Sequence, residues 1–230
     1  GYTPDAVAAG LRRRRTNTLG IVVADLANPY IAPVVRGMEN NLESRGKMAL
    51  IAETQDDHDR FRRVVDNLLA RQVDAMLTTA ARNGDESLLR RAAAKVPVVL
   101  AVRDLPGSGL PVVSHDDEHG GRLAAEHLYR QAGPKLAQLC GPADISSFRD
   151  RATGFAARVA ELGGDLVEIE STGRRPVVSE GRRLMRELLT TVSRLPDGVF
   201  AHNDLMALGA MDAMREEGIR APDDLKIMGY

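Results

Sequence analysis

Residues 19–42 read LGIVVADLANPYIAPVVRGMENNL. The first six are apolar and rich in β-branched side chains, which predicts a buried strand over Leu19–Ala24. Asp25 ends it. Apolar character resumes at Ile31, Val34, Val35, Met38 and Leu42, spaced by three and four residues as on one face of a helix. Asn28 reads as the N-cap of that helix, Pro29 as its first residue and Gly46 as its stop. A buried strand, a polar loop and a one-sided helix form the opening of a βαβ unit, so the next element should be another parallel strand.

The chain keeps that rhythm. Strands are expected at 48–53, 74–79, 96–102 and 111–117, with helices between them on the stripes Phe61, Val64, Val65, Leu68, Leu69 and Leu88, Leu89, Ala92. The stretch LPGSGLP (105–111) is the strongest breaker. The pattern then restarts: a helix through Leu123 and Leu128, a strand at 135–140, a helix over Arg149–Leu162, the strand LVEIE, a helix through Leu184 and Leu188, a strand at 198–202, a helix from Leu205 to Met214 and a final strand at 225–230. The fold class is therefore α/β with parallel sheets flanked by helices. At 230 residues the chain accommodates two lobes of roughly 100 residues each. The expected division is 1–18 as a leader, 19–115 as an N-terminal lobe and 116–230 as a C-terminal lobe. Ending on a strand is read as a C-terminal lobe that is incomplete at its end.

Composition narrows the function classes. A formal charge of −1 gives no global attraction to nucleic acid or acidic membrane, so basic contacts must be local. Aromatic residues at 3% and no tryptophan disfavour a base-stacking platform. The one cysteine, Cys140, cannot form an internal disulfide, and no apolar run reaches the roughly 18 residues of a membrane span, so a cytoplasmic protein with no membrane partner is expected. Nucleotide loops, nucleophile elbows and zinc-protease motifs are missing, so neither catalysis nor a cofactor is assigned. HDDEH (115–119) has metal-ligand chemistry, but it lies where a strand gives way to a helix and acidic residues favour the helix dipole; no metal site is assigned. Arg12–Arg15 is the only dense charge run, and it follows the helix-capable DAVAAGL, a segment able to fold against a phosphate backbone.

In parallel α/β sheets ligands bind beyond the carboxyl ends of the strands. Those ends carry Asp25 with Tyr30, Arg103 with Asp104, Asp116 with Asp117, Ser147 with Arg149 and Arg151, and Asn203 with Asp204. Carboxylates and amides exchange hydrogen bonds with hydroxyls, arginine holds an anion or a ring oxygen, and tyrosine covers the apolar face of a small ligand.

The ordered set GYTPDAVAAGL, LGIVVADLANPY, PVVLAVRD, DDEHGGRLAAEHL, LCGP, RATGFAARV, FAHNDLMALGAMDAM and IMGY resembles the LacI/GalR family of bacterial transcription repressors along essentially the whole chain. The resemblance implies a two-lobed periplasmic-binding-protein-like fold of type I, usually dimeric, joined by a hinge helix to an N-terminal helix-turn-helix that lies outside this sequence. It makes 1–18 the hinge and linker, with Leu11 as the minor-groove wedge and Arg12 and Arg13 beside it on operator DNA. It implies an effector, sugar-like and bound between the lobes, with Tyr30, Arg103, Ser147, Arg151, Asn203 and Asp204 as its contacts; the strand-end reading adds Asp25 and Asp116 to that set. Val102 replaces the family's frequent aspartate before Arg103. Ile145 stands where purine-binding relatives carry arginine, which points away from a purine. The helix after Tyr30 and the helix from Leu205 to Met214 are implied at a homodimer interface. The rival readings are a solute-binding protein of a sugar transporter and an α/β enzyme using Asp116, His119 or Asp204.

Overall fold

A computed structural model describes residues 16–173 and 175–230. The hinge assignments to Leu11, Arg12 and Arg13 lie outside the described residues. The chain forms two compact units and passes from one to the other between Ser114 and His115.

In the first unit the order is β1 (Thr18–Val23), α1 (Ile31–Glu43), β2 (Met48–Glu53), α2 (His58–Ala70), β3 (Ala75–Thr78), α3 (Glu86–Ala93), β4 (Val98–Ala101) and β5 (Val112–Val113). The strands stand in the order β2-β1-β3-β4-β5, every neighbouring pair parallel. Parallel neighbours require crossovers, and the helices supply them on both faces. Alternation along β1 shows this directly. Ile21 and Val23 pack with Ile31, Val35 and Leu42 of α1, whereas Val22 joins Phe61, Val65 and Leu68 of α2 and Leu88 and Leu89 of α3. This is why the opening strand reads as continuous apolar sequence.

The second unit contains α4 (Asp117–Gln131), β6 (Lys135–Leu139), α5 (Ser146–Glu161), β7 (Asp165–Ile169), α6 (Val178–Thr191), β8 (Gly198–Ala201), α7 (Asp204–Glu216) and β9 (Lys226–Met228). Its sheet runs β7-β6-β8-β9, again all parallel. Leu136 and Phe200 face α4 and α5, with Leu128, Phe155 and Val159. Leu139, Val199 and Ala201 face α6 and α7, with Leu184, Leu188, Met206 and Met214. These two methionines of α7 are core residues.

Two helix pairs approach through glycine. A Cβ at Gly154 of α5 would land on the Glu118 carbonyl of α4, and one at Gly209 of α7 on the Val178 carbonyl of α6. The first approach sets the start of α4 against the middle of α5, where Arg151 lies.

The structure corrects several expected boundaries. The helix read from Asn28 begins at Ile31; Asn28 instead closes a turn, its Oδ1 accepting from the Tyr30 N–H at 3.0 Å and its carbonyl from Ile31. The strand expected over 111–117 is only Val112–Val113, because at this sheet edge the chain leaves toward the second unit and Asp116 becomes the cap of α4. The final strand stops at Met228, and Gly229 and Tyr230 leave the sheet.

Candidate functional site

In the first unit two arginines at the strand ends, Arg82 and Arg103, converge on one buried carboxylate. Between β2 and α2, Gln55 and Asp56 both take positive φ, 56° and 54°, and Asp57 caps α2 by accepting from Arg60 N–H. The turn leaves Asp56 only 4% exposed, where its Oδ1 receives Arg103 Nη1 at 2.6 Å. Arg103 reaches it through an unusual backbone. Val102 has φ 69°, and the Arg103 N–H donates to the Ala101 carbonyl at 2.7 Å, a γ-turn that a β-branched residue adopts only under strain. Arg82, past the end of β3, is also buried. Its Nη1 donates to the Asp56 carbonyl oxygen at 3.0 Å, and its own N–H donates to Asp85. Asp85 in turn meets His58 Nδ1 at 3.1 Å, and burial raises its pKa above the ordinary carboxylate value. Asp25 follows β1 with its Oδ1 accepting from Ala27 N–H, and Tyr30 is exposed in the turn before α1. Arg103 is thus drawn to Asp56 from across 47 residues of sequence.

In the second unit the expected residues gather at the end of β8. Asp116 caps α4 through His119 N–H, and its neighbour Asp117 turns inward, 4% exposed. Arg151, on α5, donates from Nε to Asp117 Oδ1 at 2.8 Å and from Nη1 to the His202 carbonyl at 2.6 Å. Its guanidinium lies 3.7 Å from the Tyr230 ring centroid, a stacked cation–π contact. Neither hydrogen bond uses Nη2. Ser147 is buried in the first turn of α5, four residues before Arg151. Asn203 caps α7, its Oδ1 accepting from Met206 N–H at 2.7 Å while Nδ2 donates to the Pro176 carbonyl at 2.9 Å. Asp204 is exposed on the first turn of α7, beside Gly229.

His202 binds this group together from beneath. Its ring is fully buried; Gly141 N–H donates to Nδ1 at 3.1 Å, so the ring proton is on Nε2, 3.0 Å from Gln138 Oε1. Gln138 continues to Glu168. Burial first, and then the Arg151 charge, push the imidazole pKa down to about 3, which keeps it neutral. Tyr230 is harder to ionise than usual because of burial and the nearby Asp117 carboxylate. Burial likewise raises the Cys140 thiol to about 12, so it behaves as a small apolar side chain. Among the described residues no group of three or more His, Cys, Asp and Glu is arranged to hold a metal.

The family of periplasmic binding proteins and the sugar-binding domain of the LacI family matches residues 16–230. The transcriptional repressor PurR of Haemophilus influenzae strain PittEE is 30% identical over 233 residues, covering 100% of this chain and 68% of PurR. This chain belongs to the LacI family. Two solved neighbours carry ligands. The regulator CelR in complex with cellobiose is 26% identical with a TM-score of 0.80, covering 99% of this chain and 74% of CelR. The Cra regulator of Pseudomonas putida in complex with fructose 1-phosphate is 25% identical with a TM-score of 0.81, covering 92% and 77%.

For this LacI-family chain, the sequence alone did not single out Asp56, Arg82, His202 and Tyr230, and it named Asp117 only as the neighbour of Asp116. One pattern was available. The doublets Asp56-Asp57 and Asp116-Asp117 each divide their work, one carboxylate capping a helix and the other taking a buried arginine. Which member does which depends on the turn, and the turn is set by the fold.

Proposed function

We propose that the protein is a transcriptional repressor whose hold on operator DNA is set by a small polar effector, a sugar or sugar derivative, taken at the carboxyl ends of its strands. The observation that carries this reading is Arg151, whose guanidinium is oriented at the carboxyl end of β8 by Asp117, the His202 carbonyl and Tyr230. Asp204, Asp116 and Ser147 of the same unit join it as proposed contacts; Asn203 acts through the turn it caps and the Pro176 carbonyl it holds. Within the first unit, Asp25, Tyr30 and Arg103 are the residues proposed to contact the effector. No bond is made or broken. The effector shifts operator affinity by binding two arrangements of the protein unequally, with coupling of about 1–3 kcal/mol.

The link to DNA runs through residues 1–18, with Leu11, Arg12 and Arg13 on the operator. The start of β1 is tied down: Asp74 accepts from Thr16 N–H, Thr16 Oγ1 and Asn17 N–H, so displacement of the first unit is felt where the linker begins. A homodimer through α1 and α7 is supported by Leu208, 54% exposed on α7. No helix among the described residues is long and apolar enough to cross a membrane. A solute-binding protein shares the fold, but the full-length match of this chain to repressor PurR favours the regulator.

The test is a thermal-shift screen of sugars, sugar phosphates and nucleosides, followed by operator titrations of the complete protein with and without the ligand found. Arg151→Lys keeps the charge and loses the planar fork, and should abolish the ligand's stabilisation. A bound ligand that leaves operator affinity unchanged would sink the repressor reading.

A further inference from the structure

Three polar side chains form a single line across the sheet of the second unit. His202, just past β8, and Gln138 of β6 are both 0% exposed, and Glu168 stands on the edge strand β7 with its residue exposed. The strand register pairs Gln138 with Glu168 directly. Gly141 N–H donates to His202 Nδ1 at 3.1 Å, His202 Nε2 donates to Gln138 Oε1 at 3.0 Å, and Gln138 Nε2 donates to Glu168 Oε1. Aromatic rings pack around the line: Phe148 stacks on His202 with centroids 6.3 Å apart, and Phe200 lies at 5.1 Å. Burying an imidazole and an amide here costs free energy unless each polar atom is matched, and apolar side chains would fill the space without that demand. What the line adds is direction. A glutamine amide fits either way round until a neighbour fixes it, and a carboxylate only accepts. Glu168 therefore takes the Gln138 N–H, the Gln138 oxygen takes the imidazole proton, and the Nδ1 lone pair is left for Gly141.

We infer that Glu168 is a positioning residue for the β6–α5 loop and for Arg151, acting through Gln138 and His202. The inference rests on the effector-binding reading above, which gives Arg151 its use. Gly141 lies in the loop between β6 and α5, and α5 carries Ser147, Phe148 and Arg151. His202 meets the arginine by two routes. Its carbonyl accepts from Arg151 Nη1 at 2.6 Å, and Phe148, stacked on its ring, has its centroid 5.5 Å from the guanidinium carbon. A donor at position 168 would turn the amide over. The Gln138 N–H would then face Nε2, the ring proton would move to Nδ1, and two donors would meet between the ring and Gly141. Burial keeps the ring neutral, so it has a single proton to place. The loop must yield to part the two donors, and the hold on Arg151 loosens with it.

The experiment compares the wild type with Glu168→Lys, which can only donate, and Glu168→Gln, which keeps an acceptor oxygen. Protein isotopically labelled at its histidine and arginine nitrogens is studied by nuclear magnetic resonance, which reads the His202 tautomer and the rate at which Arg151 Nε–H exchanges with water. The wild-type ring should carry its proton on Nε2. Glu168→Lys should shift the ring toward the Nδ1–H form and speed Arg151 exchange by about tenfold, whereas Glu168→Gln should stay within about twofold of wild type. A purely structural role would lower the melting temperature of Glu168→Lys and leave both signals as in the wild type, and that result overturns the inference. So does a Glu168→Gln protein that behaves like Glu168→Lys, or a wild-type ring with its proton on Nδ1. Should Glu168→Lys fail to melt cooperatively, Glu168→Leu decides: without an acceptor for the Gln138 N–H, Arg151 exchange should quicken by about threefold, and an unchanged rate overturns the inference. No arm involves a ligand or DNA, so failure here leaves the effector reading standing, and a protein that binds no sugar would fail that reading alone.

Discussion

Arg151 and Asp117 show how strongly one side chain can depend on another. Removing the arginine leaves a carboxylate at 5% exposure without its cation, a class of change that costs about 3–5 kcal/mol. Arg151→Ala should therefore lower stability by about that much, and adding Asp117→Ala should recover part of the loss. Urea denaturation of the two single variants and the double variant measures the coupling. His202 gives a second residue-level prediction. Its folded pKa of about 3 lies below the unfolded value of 6.5, so as pH falls through 6.5 the unfolded chain takes up a proton that the folded chain refuses. Stability from this residue is complete above pH 6.5 and is lost as the pH falls toward 3. Between pH 7 and pH 5 the loss is about 2 kcal/mol, and His202→Gln should lack it when urea melts are compared at the two pH values.

At the scale of elements, the helix pairs of the second unit are set by backbone contact. Gly209→Ala would drive a methyl group into the Val178 carbonyl, and the α6 and α7 backbones must part to admit it. A loss of about 1–3 kcal/mol is expected. Gly37, inside α1, has nothing within 4 Å of an added Cβ, so Gly37→Ala should gain about 1 kcal/mol from helix propensity alone. Calorimetric melting of the two variants should show shifts of opposite sign. The glycine contacts also bring the site together: α4 and α5 touch at Gly154 and Gly121, which sets Asp117 within reach of Arg151.

For the whole molecule, the proposed regulation requires that ligand binding at the strand ends reach the segment proposed to contact DNA. Four arginines, Arg12–Arg15, stand in that segment next to Leu11. Operator affinity of the complete protein should fall with salt, and Arg12→Gln with Arg13→Gln should reduce the slope of log affinity against log salt by about 0.9 for each phosphate no longer neutralised. Filter-binding titrations across a salt series read this; a slope unchanged by both substitutions would remove these residues from the interface. Leu208→Glu places a charge on the exposed face of α7 and should shift the protein toward monomer in sedimentation, as expected if that face joins two copies.

The sequence by itself determined the α/β alternation, because a strand buried on both faces and a one-sided helix each carry a local period that no distant residue can disguise. It also placed the start of the last helix, just after Asn203, close to where it stands, since a cap bonds to backbone only a few residues away. Tertiary structure alone decided which aspartate of each doublet faces inward, that Arg103 turns to Asp56 through a strained Val102, and that Gly141 meets His202 from 61 residues away. Those partners are chosen by strand order and by which residues the helix crossovers bring to one sheet edge. Neighbouring carboxylates of identical chemistry differ there only in the direction the backbone gives them.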